Sequence, residues 1–131
     1  MGILNFDTVR ELGLAFANVV DGTAYGAPAL KLGGKLLACV PTNKSAEPNS
    51  IVVCIDIEHR AELLRQYPDI YYITDHYRPH PTVLVRLSKI NRTDLRGLLR
   101  DAHRFAAMTA SPRSAVARRK KRSTRSTGPE A

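Results

Sequence analysis

The pair Gly33-Gly34 sits between two short apolar runs, Ala29-Leu30-Lys31-Leu32 and Lys35-Leu36-Leu37-Ala38-Cys39-Val40. Glycine reaches the positive φ that tight primed turns require, so two strands around such a pair predict a β-hairpin and fix a stretch of antiparallel sheet early in the chain. Ile51-Val52-Val53-Cys54-Ile55 is β-branched and apolar on both faces, which suits a central strand. A polar loop with two prolines, Pro41 to Asn49, separates it from the hairpin.

Helical periodicity surrounds these strands. Phe6, Val9, Leu12, Phe16 and Val19 recur at spacings of three and four and predict one helix over residues 6–20, ended by Asp21-Gly22. Its start is offered by Thr8-Val9-Arg10-Glu11 as a capping box, or by Asn5 or Asp7. Asp56 is placed to cap a second helix, Ile57 to Gln66, which stops before Pro68. Tyr71-Tyr72-Ile73-Thr74 and Val83-Leu84-Val85-Arg86-Leu87 read as two further strands, and Asn91 caps a last helix running to about Met108. The expected class is α+β: an antiparallel sheet of about five strands flanked by helices, in the order α-β-β-β-α-β-β-α.

Charge divides the chain at the same point. Of its net +8, residues 1–108 hold 13 basic against 11 acidic residues, whereas residues 109–131 hold 7 basic residues against Glu130 alone. Beyond Met108 the chain turns to Ser, Thr, Pro, Arg and Lys, with too little apolar surface to order a fold. The reading is one domain, residues 1–108, and a disordered basic tail, residues 109–131.

The residues carry a resemblance as well. Tyr25-Gly26-Ala27-Pro28-Ala29-Leu30-Lys31-Leu32-Gly33-Gly34-Lys35 is similar to the Tyr-Gly-Thr-Pro-Ala-Phe-Lys-x-x-Gly-Lys stretch of MmcQ/YjbR-like proteins. Pro68 to Tyr77, followed by Pro81-Thr82-Val83-Leu84-Val85-Arg86-Leu87, resembles the second block of that family, and the match spans roughly residues 5–107. Two long motifs in register are far more specific than one short pattern. The resemblance implies a fold like that of the bacterial frataxin homologue, a bacterial source, and the DNA-binding, double-wing description given to family members. The sequence departs from the pattern at Ala27 and Leu30, which replace Thr and Phe, and at Arg78-Pro79-His80, where many members carry a Gly and an aromatic residue.

Three groups of residues are candidates for function. Lys31 and Lys35 flank a hairpin tip that would act as a wing resting on phosphates; the competing reading is of exposed residues that keep a sheet edge soluble. Arg92, Arg96 and Arg100 follow one another at i, i+4 on the last helix, opposite a leucine arc, with Asp94 and Asp101 weakening their field. Arg118-Arg119-Lys120-Lys121-Arg122 is the densest cation run, suited to phosphates without sequence readout and to steeply salt-dependent binding.

A fourth cluster is chemically richer. Asp75-His76-Tyr77-Arg78-Pro79-His80-Pro81 gathers polar and aromatic groups on a stiff loop. His76, Tyr77, Arg78 and His80, with Tyr25, are candidates for contact with a ligand or a base, by stacking or by hydrogen bonding. The two histidines lack the further ligands that a metal site needs. No nucleophile elbow or phosphate-cradling glycine loop is present, and no acidic pair falls in a plausible cleft, so a non-enzymatic protein without cofactor is expected.

The function expected first is therefore phosphate-directed, sequence-nonspecific DNA binding, with the tail supplying affinity. The alternative is a protein- or small-molecule-binding module that uses the sheet and the Asp75–His80 loop. Frataxin-like iron handling ranks last, because the first helix offers only Asp7, Glu11 and the flanking Asp21. The start of the chain shows no charged n-region with an apolar stretch, Phe6 stands where a myristoylation signal wants Ser or Thr, and no apolar run approaches a membrane span. Cys39 and Cys54 lie inside apolar runs and read as buried thiols. A cytoplasmic protein with no membrane contact is expected.

Overall fold

In the computed structural model, which describes residues 4–109, Gly33 and Gly34 form the predicted turn. Both have positive φ, 57° and 83°, the signature of a type I′ hairpin turn. It joins β2 (Ala27–Leu32) to β3 (Lys35–Cys39), with Leu32 opposite Lys35. A second two-residue hairpin precedes it: β1 (Val19–Ala24) turns at Tyr25-Gly26 and returns as β2, with Ala24 opposite Ala27. Three strands thus meander through two tight turns. The sheet continues with β4 (Ser50–Cys54), β5 (Tyr71–Tyr72) and β6 (Thr82–Arg86), and the spatial order is β1-β2-β3-β4-β6-β5, antiparallel throughout.

This corrects the expected element order by one strand. The first helix, α1, covers only Phe6–Leu14, capped by the Asn5 side chain, which accepts from the Thr8 N–H at 3.2 Å. Phe16 N–H closes a turn onto Gly13 O, Asn18 adopts φ 66°, and Val19 then enters the sheet opposite Leu32. Phe16 and Val19 pack on the same core that a longer helix would have reached, so apolar spacing alone does not separate the two solutions. The other helices form where expected. α2 spans Ile57–Gln66, although Asp56 makes no side-chain capping bond, and α3 spans Arg92–Thr109, with the Asn91 side chain accepting from Asp94 N–H at 2.7 Å.

All three helices pack against one face of the sheet. There Leu30, Leu37, Ile51, Val53, Val83 and Val85 meet Val9 of α1, Leu95, Leu98 and Leu99 of α3, and the partly buried Leu63 and Leu64 of α2. α1 comes so close to β2 that a Cβ on Gly13 would lie 2.4 Å from Leu30 Cδ1.

The other face carries no helix among the described residues. Ala29, Cys39, Val52 and Leu84 form a small second cluster there, covered by loops rather than secondary structure. One of these loops, residues 41–49, is pinned across the sheet. The Glu47 carboxylate takes two 2.8 Å bonds from the Arg86 guanidinium, which also lies 4.4 Å from the Tyr72 ring centroid. The Tyr72 hydroxyl accepts from Glu47 N–H at 2.8 Å and pairs with Ser50 Oγ at 2.7 Å. Arg86 therefore organises this loop. Among the described residues no helix is long and apolar enough to cross a membrane.

Candidate functional site

The two loops leave a gap over the second face, and the gap is a pocket of about 530 Å³. Its floor is sheet: Leu36 and Cys39 from β3, Val52 and Cys54 from β4. One wall is the segment Val40–Asn43, and the opposite wall is the loop carrying His76, Tyr77 and His80. Tyr25 reaches its rim from the β1–β2 turn. Four of the five residues that the sequence marks for ligand contact are therefore brought together, although Tyr25 stands some fifty positions from the others in the chain. The volume falls within the range of small-molecule sites.

Tyr25 is the most unusual of the four. It has φ 55°, in the left-handed region that Gly, Asn and Asp tolerate and a bulky side chain rarely adopts. It is also 89% exposed, the most exposed of the large apolar side chains among the described residues. Local conformation and solvation both disfavour an aromatic residue here. Holding a non-glycine residue in that region costs on the order of 1–2 kcal/mol.

Tyr77 is half-buried, with the His76 ring edge-on at 4.7 Å between centroids. Burial raises the pKa of its hydroxyl, while the backbone N–H groups of Asn43 and Thr42 pull it the other way. Both floor thiols are protonated at neutral pH: burial pushes Cys39 up to about 11 and Cys54 to about 12. They are unpaired, and since Cys39 lies opposite Val52, Cys54 is its diagonal neighbour across two strands.

The loop wall is held by a residue that the sequence reading passed over. Arg60 of α2 is buried and spends its guanidinium on backbone carbonyls: Nη1 donates to His80 O at 2.9 Å and Thr82 O at 3.1 Å, and Nη2 to Arg78 O at 3.2 Å. Thr82 Oγ1 adds a bond to Tyr77 O at 3.3 Å. The signal was an arginine in register with Leu63 and Leu64 on the apolar stripe of α2. Arg78 itself does not line the pocket; its side chain meets Asp75 at 3.4 Å.

The cationic candidates are scattered. Lys31 sits opposite Leu36, on the pocket's side of the sheet, and Lys35 follows the Gly33-Gly34 turn. Arg92 is engaged by Glu11 at 3.1 Å. Arg96 and Arg100 lie on the helical side, lining a groove of about 660 Å³ between α2 and α3 that also holds Asp94, Asp101 and His59. Hairpin lysines and helix arginines thus do not form one basic surface. Arg118, Arg119, Lys120, Lys121 and Arg122 lie outside the described residues. Among the described residues, no three His, Cys, Asp or Glu side chains are grouped to hold a metal ion.

The profile of the YjbR family matches residues 14–105. The chain belongs to the YjbR family. Among solved structures, this YjbR domain is similar to the Deinococcus radiodurans protein DR2400, described as a DUF419 domain: 18% identity, TM-score 0.65, with 82% of this chain and 81% of that one covered. At that identity the likeness concerns the fold. No curated protein matches the sequence. The family match takes in every residue of the pocket and ends before the basic tail, so the YjbR domain and the strongest cation run are separate parts of the chain.

Proposed function

We propose that the protein is a non-enzymatic binding module, and that its site is the pocket on the helix-free face of the sheet. One observation carries this reading: an exposed tyrosine is held in a left-handed backbone conformation at the rim of an apolar pocket. Strain of this kind persists where a side chain is needed for contact. With Tyr25 on one side and Tyr77 on the other, the pocket suits a flat apolar group, stacked between rings and met at its edge by imidazole and phenol groups.

The test is a titration of the full chain with 2-naphthamide, a neutral flat probe, followed by ¹H–¹⁵N spectra. The reading expects shifts confined to amides around Tyr25, Leu36, Val52 and Tyr77. Shifts confined to the α2–α3 groove, or no localised shifts, would overturn it.

A second reading, phosphate-directed attachment to DNA, is favoured by the concentration of charge: 7 basic residues against one acidic residue beyond position 108. On this reading the tail supplies the affinity and the folded domain little, since its own excess is small and its arginines are dispersed. Counterion release makes such binding fall steeply with salt. Gel shifts at rising salt, for the full chain and a chain ending at Met108, should show binding only in the former. Equal binding by both would move the interface into the domain, and binding by neither would end this reading.

A further inference from the structure

We infer that the pocket's ligand is a small organic anion, an apolar planar or aliphatic body carrying a carboxylate that lies between His76, His80 and Tyr77. The inference rests on the binding-module reading and adds the chemistry of the ligand's head group.

The floor, built from Leu36, Val52 and two protonated thiols, offers no ionised group and suits the apolar body. The rim offers hydrogen-bond donors: the imidazoles of His76 and His80 and the hydroxyls of Tyr25 and Tyr77. Tyr77 lines the pocket half-buried, and its hydroxyl is one of the donors a ligand there would meet. Among the described residues, no carboxylate lines the pocket. The nearest in sequence, Asp75, has its side chain 99% exposed and turned to Arg78, so it neither repels an anion nor competes for the donors.

The surrounding charge agrees. The positive charge of Lys35 is felt at Cys54 on the pocket floor, opposing the effect of burial on that thiol. Lys31 stands on the same side of the sheet. A cationic ligand would oppose this field, and a neutral one would make only the weaker, uncharged hydrogen bonds with these donors. A carboxylate accepts up to four hydrogen bonds, and bonds to a charged acceptor are roughly twice as strong as neutral ones.

The experiment compares 2-naphthoate with 2-naphthamide, which share a ring system and differ in the charge of the head group. Each is titrated into the full chain by ¹H–¹⁵N spectroscopy and calorimetry. The inference expects 2-naphthoate to bind about tenfold tighter or more. His76→Gln with His80→Gln should remove most of that preference. Both side chains are exposed, so folding should survive the change. Tyr77→Phe, which keeps the ring and loses the proton, gives an independent variant with the same expectation. Equal affinities at the pocket would overturn the anion inference and leave the binding-module reading standing. Binding of neither probe at the pocket would overturn both. A 2-naphthoate preference unchanged in all variants would place the anion elsewhere and overturn the inference.

Discussion

Replacing Arg60 with methionine tests whether the wall of the pocket is built as described. Arg60 donates three hydrogen bonds to the carbonyls of Arg78, His80 and Thr82, at 3.2, 2.9 and 3.1 Å. The methionine side chain follows the arginine stem and keeps most of its packing, so the loss is concentrated in these bonds. A hydrogen bond from a charged group contributes about 1.5–3 kcal/mol. The three do not sum at full value, because His80 O also accepts from Thr82 N–H at 2.8 Å and the outer carbonyls regain water. The Thr82 carbonyl, at a buried bond, regains little. The expected loss is roughly 2–4 kcal/mol, or a fall in Tm of about 10–25 °C at the slope usual for a domain of this size. Thermal unfolding followed by circular dichroism measures it, and hydrogen exchange should show lost protection across residues 78–82. Arg60→Lys should rescue little, since one ammonium cannot span three carbonyls as the planar fork does. A loss below about 1 kcal/mol, or full rescue by lysine, would refute the reasoning.

Further outcomes follow from other contacts. Gly13→Ala should destabilise by roughly 1–2 kcal/mol in urea unfolding despite alanine's better helix propensity, because the new methyl meets fully buried Leu30. The bond from Arg86 holds the Glu47 carboxyl below the usual carboxylate range, so its contribution is present above the unfolded value and lost as pH falls through the folded one. Unfolding midpoints across pH 2–7 should therefore show Glu47→Gln less stable than the parent near neutrality, with the gap closing in acid. Cys39 and Cys54, with pKa values of about 11 and 12, should react with iodoacetamide at pH 7.5 far more slowly than free cysteine, and fully only in denaturant.

Much of the fold was legible because its signals are local. Gly33-Gly34 fixes its own turn, Ile51–Ile55 is apolar on both faces, α2 stops before Pro68, and α3 starts at the Asn91 cap. The edge strand Val19–Ala24 was not legible. Phe16 and Val19 keep helical spacing from Val9 and Leu12, and what turns the chain into the sheet is pairing with Leu32 and Lys31, a contact made only when the hairpin has folded. The site divides in the same way. His76, Tyr77 and His80 stand out as one loop, but the rim position of Tyr25 depends on the β1–β2 turn, which disappears if residues 6–20 are read as helix. Arg92 looked like one of three helical cations because Glu11, its partner, lies 81 positions away. Arg86 gave no sign of its role, since the carboxylate it holds arrives from a distant loop, whereas Arg60 stood on the apolar stripe of α2 beside Leu63 and Leu64.

The central claim is that Tyr25 is kept in an unfavourable conformation for the sake of a ligand. Tyr25→Asn tests it by separating stability from binding, as asparagine tolerates the left-handed conformation at φ 55° and gives up the ring. Unfolding and 2-naphthoate titration should be measured together on parent and variant. The account predicts a variant equally stable or more stable, by up to about 1 kcal/mol, that binds the probe at least tenfold more weakly. A variant that loses stability and binds as the parent does would show that the tyrosine supports the fold and that the pocket is not the site.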